Sequence, residues 1–236
     1  MRVLIVGTTT DDISYIQTKM TIESIDTIAG DVEVYTGKYS DKDIVLVATG
    51  KTNMLSAMIC GIVIEKYHPY YCISIGNIHS FSSELKQTDL FLATRIYLAN
   101  IDQMPLGRLS YGQIPDMKLF YTPESTLNQK IKDLNSTMAN KNLVTGILIS
   151  DDLFRTDPKE IDELIKEHYV KIENIVACDS SSGGVSIACS KYKLPTVFIR
   201  VCSYEVGNSS QLINCQRKGL SIQPYVGKLI SALFED

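Results

Sequence analysis

The segment from Ile172 to Glu205 constrains the fold of this chain more strongly than any other. It contains a short apolar run, a polar turn at Asp179–Ser182, a segment of small residues and a second apolar run at Thr196–Cys202. Short β-branched runs bounded by turn residues are typical of strands that are covered on both faces. The pattern therefore predicts two buried strands joined by a packed helix. Ligands usually bind at the ends of such strands, which here lie at 179–182 and 203–205.

The rest of the chain alternates in the same way between strand-like runs and helical spacing. Apolar runs at 2–7, 72–76 and 145–150 predict strands, and the apolar spacing at 125–138 and 158–169 predicts helices. Such alternation is typical of an α/β fold. A length of 236 residues suits one domain with a well-buried core and leaves little room for a second.

Composition weighs against several classes of function. The net charge is −4 at pH 7, so we expect no nucleic-acid partner. No apolar stretch approaches membrane-spanning length, and Met1 leads directly into a strand-like run, which predicts a cytoplasmic protein with no membrane partner. The six cysteines lack Cys-x-x-Cys spacing and the three histidines lie far apart, so we expect no metal site.

Four further segments carry recognisable motifs, which are LKQTD at 85–89, YGQIP at 111–115, SDDLF at 150–154 and RVCSY at 200–204. Together with DSSS at 179–182, they resemble the nucleoside phosphorylase superfamily, and most of all its methylthioadenosine/S-adenosylhomocysteine nucleosidases. Those enzymes cut the bond between a purine and its ribose. The resemblance implies a single three-layer α/β/α domain over residues 1–236, built around a mixed central sheet. It also implies a purine nucleoside or base as ligand and no cofactor.

The resemblance assigns binding roles to several residues. It implies that Phe154 stacks on the purine, that Arg155 hydrogen-bonds the base through its backbone, and that Pro115 reaches the pocket of a partner in a homodimer. An aromatic residue at a strand end can instead pack in the core, and a proline can instead stiffen a loop. A purely structural role therefore stays open for both Phe154 and Pro115. The remaining residues implied to contact the base or the sugar are Ile78, Ser180, Ser181, Ser203 and Tyr204.

The loop expected at 77–80 departs from the family pattern. The family has small residues and glycines there, whose backbone lies close to the ligand, whereas this chain has Ile78 and His79. We expect these larger side chains to narrow or reshape the approach. A catalytic His79 is an alternative, although a single loop histidine is more often solvated or locally hydrogen-bonded.

The chemistry of the family is altered at its charged positions. Cleavage of a purine N-glycosidic bond needs an acid for the departing base, negative charge near the sugar and a positioned water. The resemblance places these roles at Tyr204, Ser181 and Asp12, and only Asp12 is a carboxylate. A tyrosine, with an ordinary pKa near 10, is a poor acid at neutral pH. Asp179 and Glu205 are close in sequence and are candidates to replace the missing carboxylates.

Three hypotheses follow. The first is a working nucleosidase or phosphorylase in which Asp12, Asp179 and Glu205 supply the catalytic carboxylates. The second is a catalytically silent relative that binds a purine or nucleoside without cleaving it. The third is a structural dimer or an enzyme for another substrate. The helical spacing of apolar residues after position 12 predicts a helix that Thr10 or Asp11 would cap. Helix capping alone also explains an acidic residue at Asp12, so its role stays open at this point.

Overall fold

The computed structural model describes residues 1–138 and 141–235. The strands are β1 (Arg2–Gly7), β2 (Thr21–Ile28), β3 (Val32–Tyr39), β4 (Lys42–Ala48), β5 (Tyr71–Ser80), β6 (Leu90–Leu98), β7 (Phe120–Tyr121), β8 (Leu143–Ser150), β9 (Ile175–Asp179) and β10 (Thr196–Glu205). The helices are α1 (Thr10–Lys19), α2 (Asn53–Tyr67), α3 (Ser125–Thr137), α4 (Pro158–His168), α5 (Ser182–Lys191), α6 (Ser209–Leu212), α7 (Cys215–Leu220) and α8 (Gln223–Glu235). A short 3₁₀ helix spans Met104–Leu106.

The strands form one mixed sheet in the order β10-β6-β8-β9-β5-β1-β4-β3-β2, with β7 paired to β6. Strand β10 also pairs with β5, so β5, β9, β8, β6 and β10 form a closed ring within the sheet. The predicted α/β fold with a mixed central sheet is confirmed. This ring brings the ends of β5, β9 and β10 close together, and those ends position the candidate site.

Side chains alternate along the buried strands, so the sheet has two apolar faces, and helices cover both of them. On β1, Leu4 and Val6 point into a core formed with α2 and α5. Val3 and Ile5 point the other way, into a core formed with α1, α3 and α8. Among the described residues, no helix has both the length and the apolar character needed to cross a membrane.

Helix α2 corrects one expectation from the sequence. Residues 54–67 are apolar nearly all round, which predicts a buried helix, and one face of α2 is indeed packed against α5. The opposite face is open, and its large apolar side chains are 38 to 78% exposed. These side chains are Met54, Leu55, Met58 and Ile62.

Strand β5 corrects a second expectation, because the segment 77–80 is strand and not loop. The residues beyond Gly76 stay in the sheet because β10 pairs with β5 as far as Ser80, and His79 also pairs with Cys178 of β9. Strand alternation then places consecutive side chains on opposite sides. Ile78 is fully buried in the core, whereas His79 is partly exposed and faces a cavity.

Candidate ligand-binding site

A cavity of about 200 Å³ lies where β1, β5, β9 and β10 end. Five of the residues expected from the sequence line it or contribute to its wall, which are Asp12, Phe154, Asp179, Ser180 and Ser203. The other lining residues are Thr8, Thr9, Lys51, Asn77, His79, Cys215 and Gln216. A wider depression of about 640 Å³ adjoins it and shares Thr8, Thr9 and Lys51.

Asp12 combines a capping role with a position on the cavity wall. The helix N-cap is Thr9, rather than Thr10 or Asp11 as the sequence predicts, and Asp12 closes a capping box with it. Oδ2 of Asp12 accepts hydrogen bonds from the Thr9 backbone N–H at 2.8 Å and the Thr9 hydroxyl at 2.9 Å. Its Oδ1 accepts one from Asn77 at 3.2 Å. Burial raises the pKa of Asp12, although the Thr9 hydrogen bonds and the charge of Arg200 oppose this.

Asp179 reaches the cavity wall, but its carboxylate is engaged in a buried network. Nε of Arg200 donates to Oδ2 of Asp179 at 3.0 Å, and neither side chain is more than 3% exposed. The hydroxyl of Ser150 and the backbone N–H of Ser182 donate to Oδ1 at 2.9 and 3.1 Å. The Ser182 hydroxyl donates to Oδ2. These partners fix the carboxylate as a structural ion pair, so the geometry gives it no free oxygen to offer a ligand as an acid.

Glu205 lies outside the cavity. Its carboxylate accepts from the Lys86 ammonium at 3.2 Å, the Gln87 backbone N–H at 3.1 Å and the Gln211 amide at 2.9 Å. Burial opposes its ionisation, but these hydrogen bonds and the Lys86 charge outweigh it and lower the pKa of Glu205. A depressed pKa and a position away from the cavity are both unsuited to a general acid for a ligand bound there.

A bulge in β10 explains why Glu205 points away. The pairing of β10 with β5 shifts in register between Cys202 and Tyr204, which leaves Ser203 as the extra residue. A bulge allows two consecutive side chains to be redirected. Ser203 consequently lines the cavity and donates a hydrogen bond to the Ile78 carbonyl at 3.3 Å, while Tyr204 is 1% exposed and packs beside it.

Three aromatic rings meet at one end of the cavity. The ring of His79 lies 4.4 Å from that of Phe154 and 5.5 Å from that of Tyr204, both edge-on. Phe154 and Tyr204 are stacked with centroids 6.1 Å apart. Burial lowers the pKa of His79 to about 4, while the Asp179 charge opposes this, so the imidazole is neutral at pH 7. The Tyr204 hydroxyl accepts from the Gly207 N–H at 3.3 Å.

The remaining predicted binding residues divide between the rim and the interior. Ser181 is buried and shares a hydrogen bond of 2.8 Å with the hydroxyl of Thr8, which lines the cavity. The guanidinium of Arg155 is held by Asp151 through hydrogen bonds of 2.9 and 2.7 Å, and Arg155 does not line the cavity, so its backbone contact with a base stays a prediction. The side chain of Ile78 is buried in the core and does not line the cavity, while its carbonyl accepts the hydrogen bond from Ser203. Pro115 is exposed on the segment between β6 and β7 and does not line the cavity.

Several residues that line the cavity belong to no recognisable sequence motif. Thr8 and Thr9 lie between β1 and α1, directly before the predicted cap, and their position is the only hint. Cys215 and Gln216 belong to α7, which carries no motif and reaches the cavity only through the fold. Among residues 1–138 and 141–235, no three histidine, cysteine, aspartate or glutamate side chains are arranged to hold a metal ion.

Two curated proteins similar to this chain are named as nucleosidases. A 5'-methylthioadenosine/S-adenosylhomocysteine nucleosidase from Geobacillus sp. (strain WCH70) is 24% identical over 212 residues, which cover 90% of this chain and 89% of the relative. The nucleosidase of the same name from Bacillus cereus (strain G9842) is 26% identical over the same shares of both chains.

Solved structures with the same fold include two nucleosidases with bound ligands. The enzyme from Neisseria meningitidis, in complex with methylthio-immucillin-A, gives a TM-score of 0.86 at 18% identity and covers 99% of this chain and 98% of its own. The enzyme from Colwellia psychrerythraea 34H, in complex with adenine, gives 0.85 at 20% identity and covers 98% and 95%.

The family model described as the phosphorylase superfamily matches residues 2–212. The match spans the whole sheet and all the residues that line the cavity except Cys215 and Gln216. This chain therefore belongs to the phosphorylase superfamily.

Proposed function

We propose that this protein binds a purine or purine nucleoside in the 200 Å³ cavity without cleaving the N-glycosidic bond. The observation behind this proposal is that both candidate replacement acids are engaged in ion pairs. Asp179 is paired with buried Arg200, and Glu205 is bound to Lys86 outside the cavity. The positions that resemble the family's acid and sugar-binding glutamate hold Tyr204 and Ser181, and Ser181 is already hydrogen-bonded to Thr8.

Binding of a purine is supported by the wall that remains. Phe154 is 58% exposed and offers an aromatic surface at the cavity, and Ser180 and Ser203 place hydroxyl groups nearby. Pockets for small ligands combine such apolar surfaces with a few polar groups. The relatives solved with adenine or with a nucleoside analogue have the same fold, which supports the choice of ligand class.

A second candidate function is slow hydrolysis that uses Asp12. Among the described residues, Asp12 and Asp179 are the carboxylates that line the cavity, and only Asp12 is free of an ion pair. Its raised pKa keeps a larger protonated fraction than an ordinary aspartate, as a general acid requires. This candidate predicts weak adenine release that is lost in Asp12→Asn.

One experiment separates these two functions. Purified protein is titrated calorimetrically with adenine and methylthioadenosine, and adenine release from methylthioadenosine is followed with and without phosphate. Saturable binding without release supports the first proposal. Release that depends on Asp12 supports the second, and no binding of either ligand contradicts both.

We also propose a homodimer that covers the open face of α2. Met54, Leu55, Met58 and Ile62 form an apolar strip on that face. Contiguous exposed apolar surfaces commonly mark protein interfaces. The YGQIP motif, which resembles an interface segment of the family, supports a second copy as the partner, with Pro115 as a residue that reaches the neighbouring cavity.

A further inference from the structure

The ring of His79 packs against Phe154, and both residues line the cavity. Its centroid is 4.4 Å from that of Phe154, at the short limit of the range of about 4.5–7 Å that is usual for two packed aromatic rings. A planar ligand bound against this side of Phe154 needs the same volume. The Tyr204 ring lies 5.5 Å from that of His79 and 6.1 Å from that of Phe154, so it flanks both rings. His79 therefore fills the aromatic end of the cavity with part of the protein itself.

The size of the cavity agrees with this arrangement. The part that His79 and Phe154 line has a volume of about 200 Å³, below the roughly 300 Å³ usual for pockets of small organic ligands, and only together with the adjoining depression of about 640 Å³ is the space larger. His79 is held in place by ring contacts, and the structure shows no hydrogen bond from its imidazole to another residue among those described. A neutral ring held mainly by packing can be displaced at the cost of those contacts.

We propose that His79 is a specificity-determining residue that restricts access of purines to Phe154, so that a purine binds only when the His79 ring is displaced. This inference rests on the proposed function, since it concerns the same cavity and the same ligand class. The role is one of excluded volume. The imidazole nitrogens are not required, and removal of the ring enlarges the space available to a fused-ring base.

The test compares two variants at position 79 by calorimetric titration with adenine. His79→Ala removes the ring, and it should tighten adenine binding about 2- to 12-fold, which is the free energy of one aromatic pair expressed as an equilibrium ratio. His79→Phe keeps a ring of similar size without nitrogens, and its affinity should not exceed that of the unmodified protein. His168→Ala is the matched control, because His168 stacks on Tyr111 and does not line the cavity.

The outcomes distinguish this inference from the proposed function. Tighter adenine binding in His79→Ala alone supports the proposed restriction by the His79 ring. Adenine binding that is detectable only in that variant supports it as well. Weaker binding in both His79→Ala and His79→Phe would show that the imidazole is a hydrogen-bonding partner, which overturns the inference and leaves purine binding intact. Circular dichroism checks that every variant is folded. If no folded variant binds adenine, both the proposed function and the proposed role of His79 are contradicted.

Discussion

Arg200 and Asp179 form a buried ion pair in which Nε lies 3.0 Å from Oδ2, and it links the end of β9 to β10. Nη2 of Arg200 donates hydrogen bonds to the hydroxyls of Ser74 and Ser182 at 3.0 and 2.6 Å. The pair thus ties β5, β9, β10 and the start of α5 together directly beneath the cavity. The ion pair has a structural role beside the cavity, so the Asp179 carboxylate is not available as a catalytic acid.

Asp179→Ala should strongly destabilise the fold, because it leaves the Arg200 charge buried without its partner. Loss of one member of a buried pair typically costs about 3–5 kcal/mol. For a chain of this size we expect a fall in Tm on the order of 10 °C, measured by calorimetry. Glu205→Gln is the control, since its pair with Lys86 is partly solvent-exposed and should contribute under about 1 kcal/mol. Equal effects of the two substitutions would contradict the assigned role of the buried pair.

Phe154→Ala should weaken adenine binding about 5- to 150-fold, because stacking of a base on an aromatic side chain contributes about 1–3 kcal/mol. The measurement is the adenine Kd by calorimetry. Leu153→Ala is a matched control, as Leu153 is the exposed neighbour of Phe154 and does not line the cavity. Unchanged affinity in Phe154→Ala would remove this ring from the ligand site.

Asp12 should make the protein less stable as the pH rises. Burial raises its pKa in the folded state above the ordinary value of 3.8, so the folded protein binds more protons than the unfolded chain between the unfolded and the folded pKa. Stability from this group is present below about pH 3.8 and is lost as the pH rises through the folded pKa. Urea unfolding of Asp12→Asn and the unmodified protein should show a difference that grows over this window in favour of the variant. A difference that does not change with pH would contradict the burial effect.

Met58→Arg should convert a dimer to a monomer, because it places a charge in the middle of the open face of α2. Light scattering coupled to gel filtration measures the molar mass directly. Ile25→Arg is the control, since Ile25 is an exposed apolar residue of β2 that lies off this face. A monomer before substitution, or a dimer that persists in Met58→Arg, would contradict the proposed interface.

The resemblance of the Phe154, Tyr111 and Arg200 segments predicted the fold and the neighbourhood of the site. Asp12, Phe154, Ser180 and Ser203, to which the resemblance assigns roles, line one cavity together with Asp179, which was a candidate from its closeness in sequence. Which of them functions in catalysis or binding stays a prediction, because geometry alone tests position and not role.

Local sequence by itself determined the α/β alternation, the capping segment before Asp12 and the strand ends at which the cavity lies. These depend on periodicity, turn chemistry and motifs that act over a few residues. Only the tertiary structure decided that Asp179 is neutralised by Arg200, that a bulge at Ser203 turns Glu205 toward Lys86, and that His79 is in a strand and faces Phe154. Each of these depends on strands distant in sequence that pair across the closed ring, and contacts of that kind leave no local pattern in the chain.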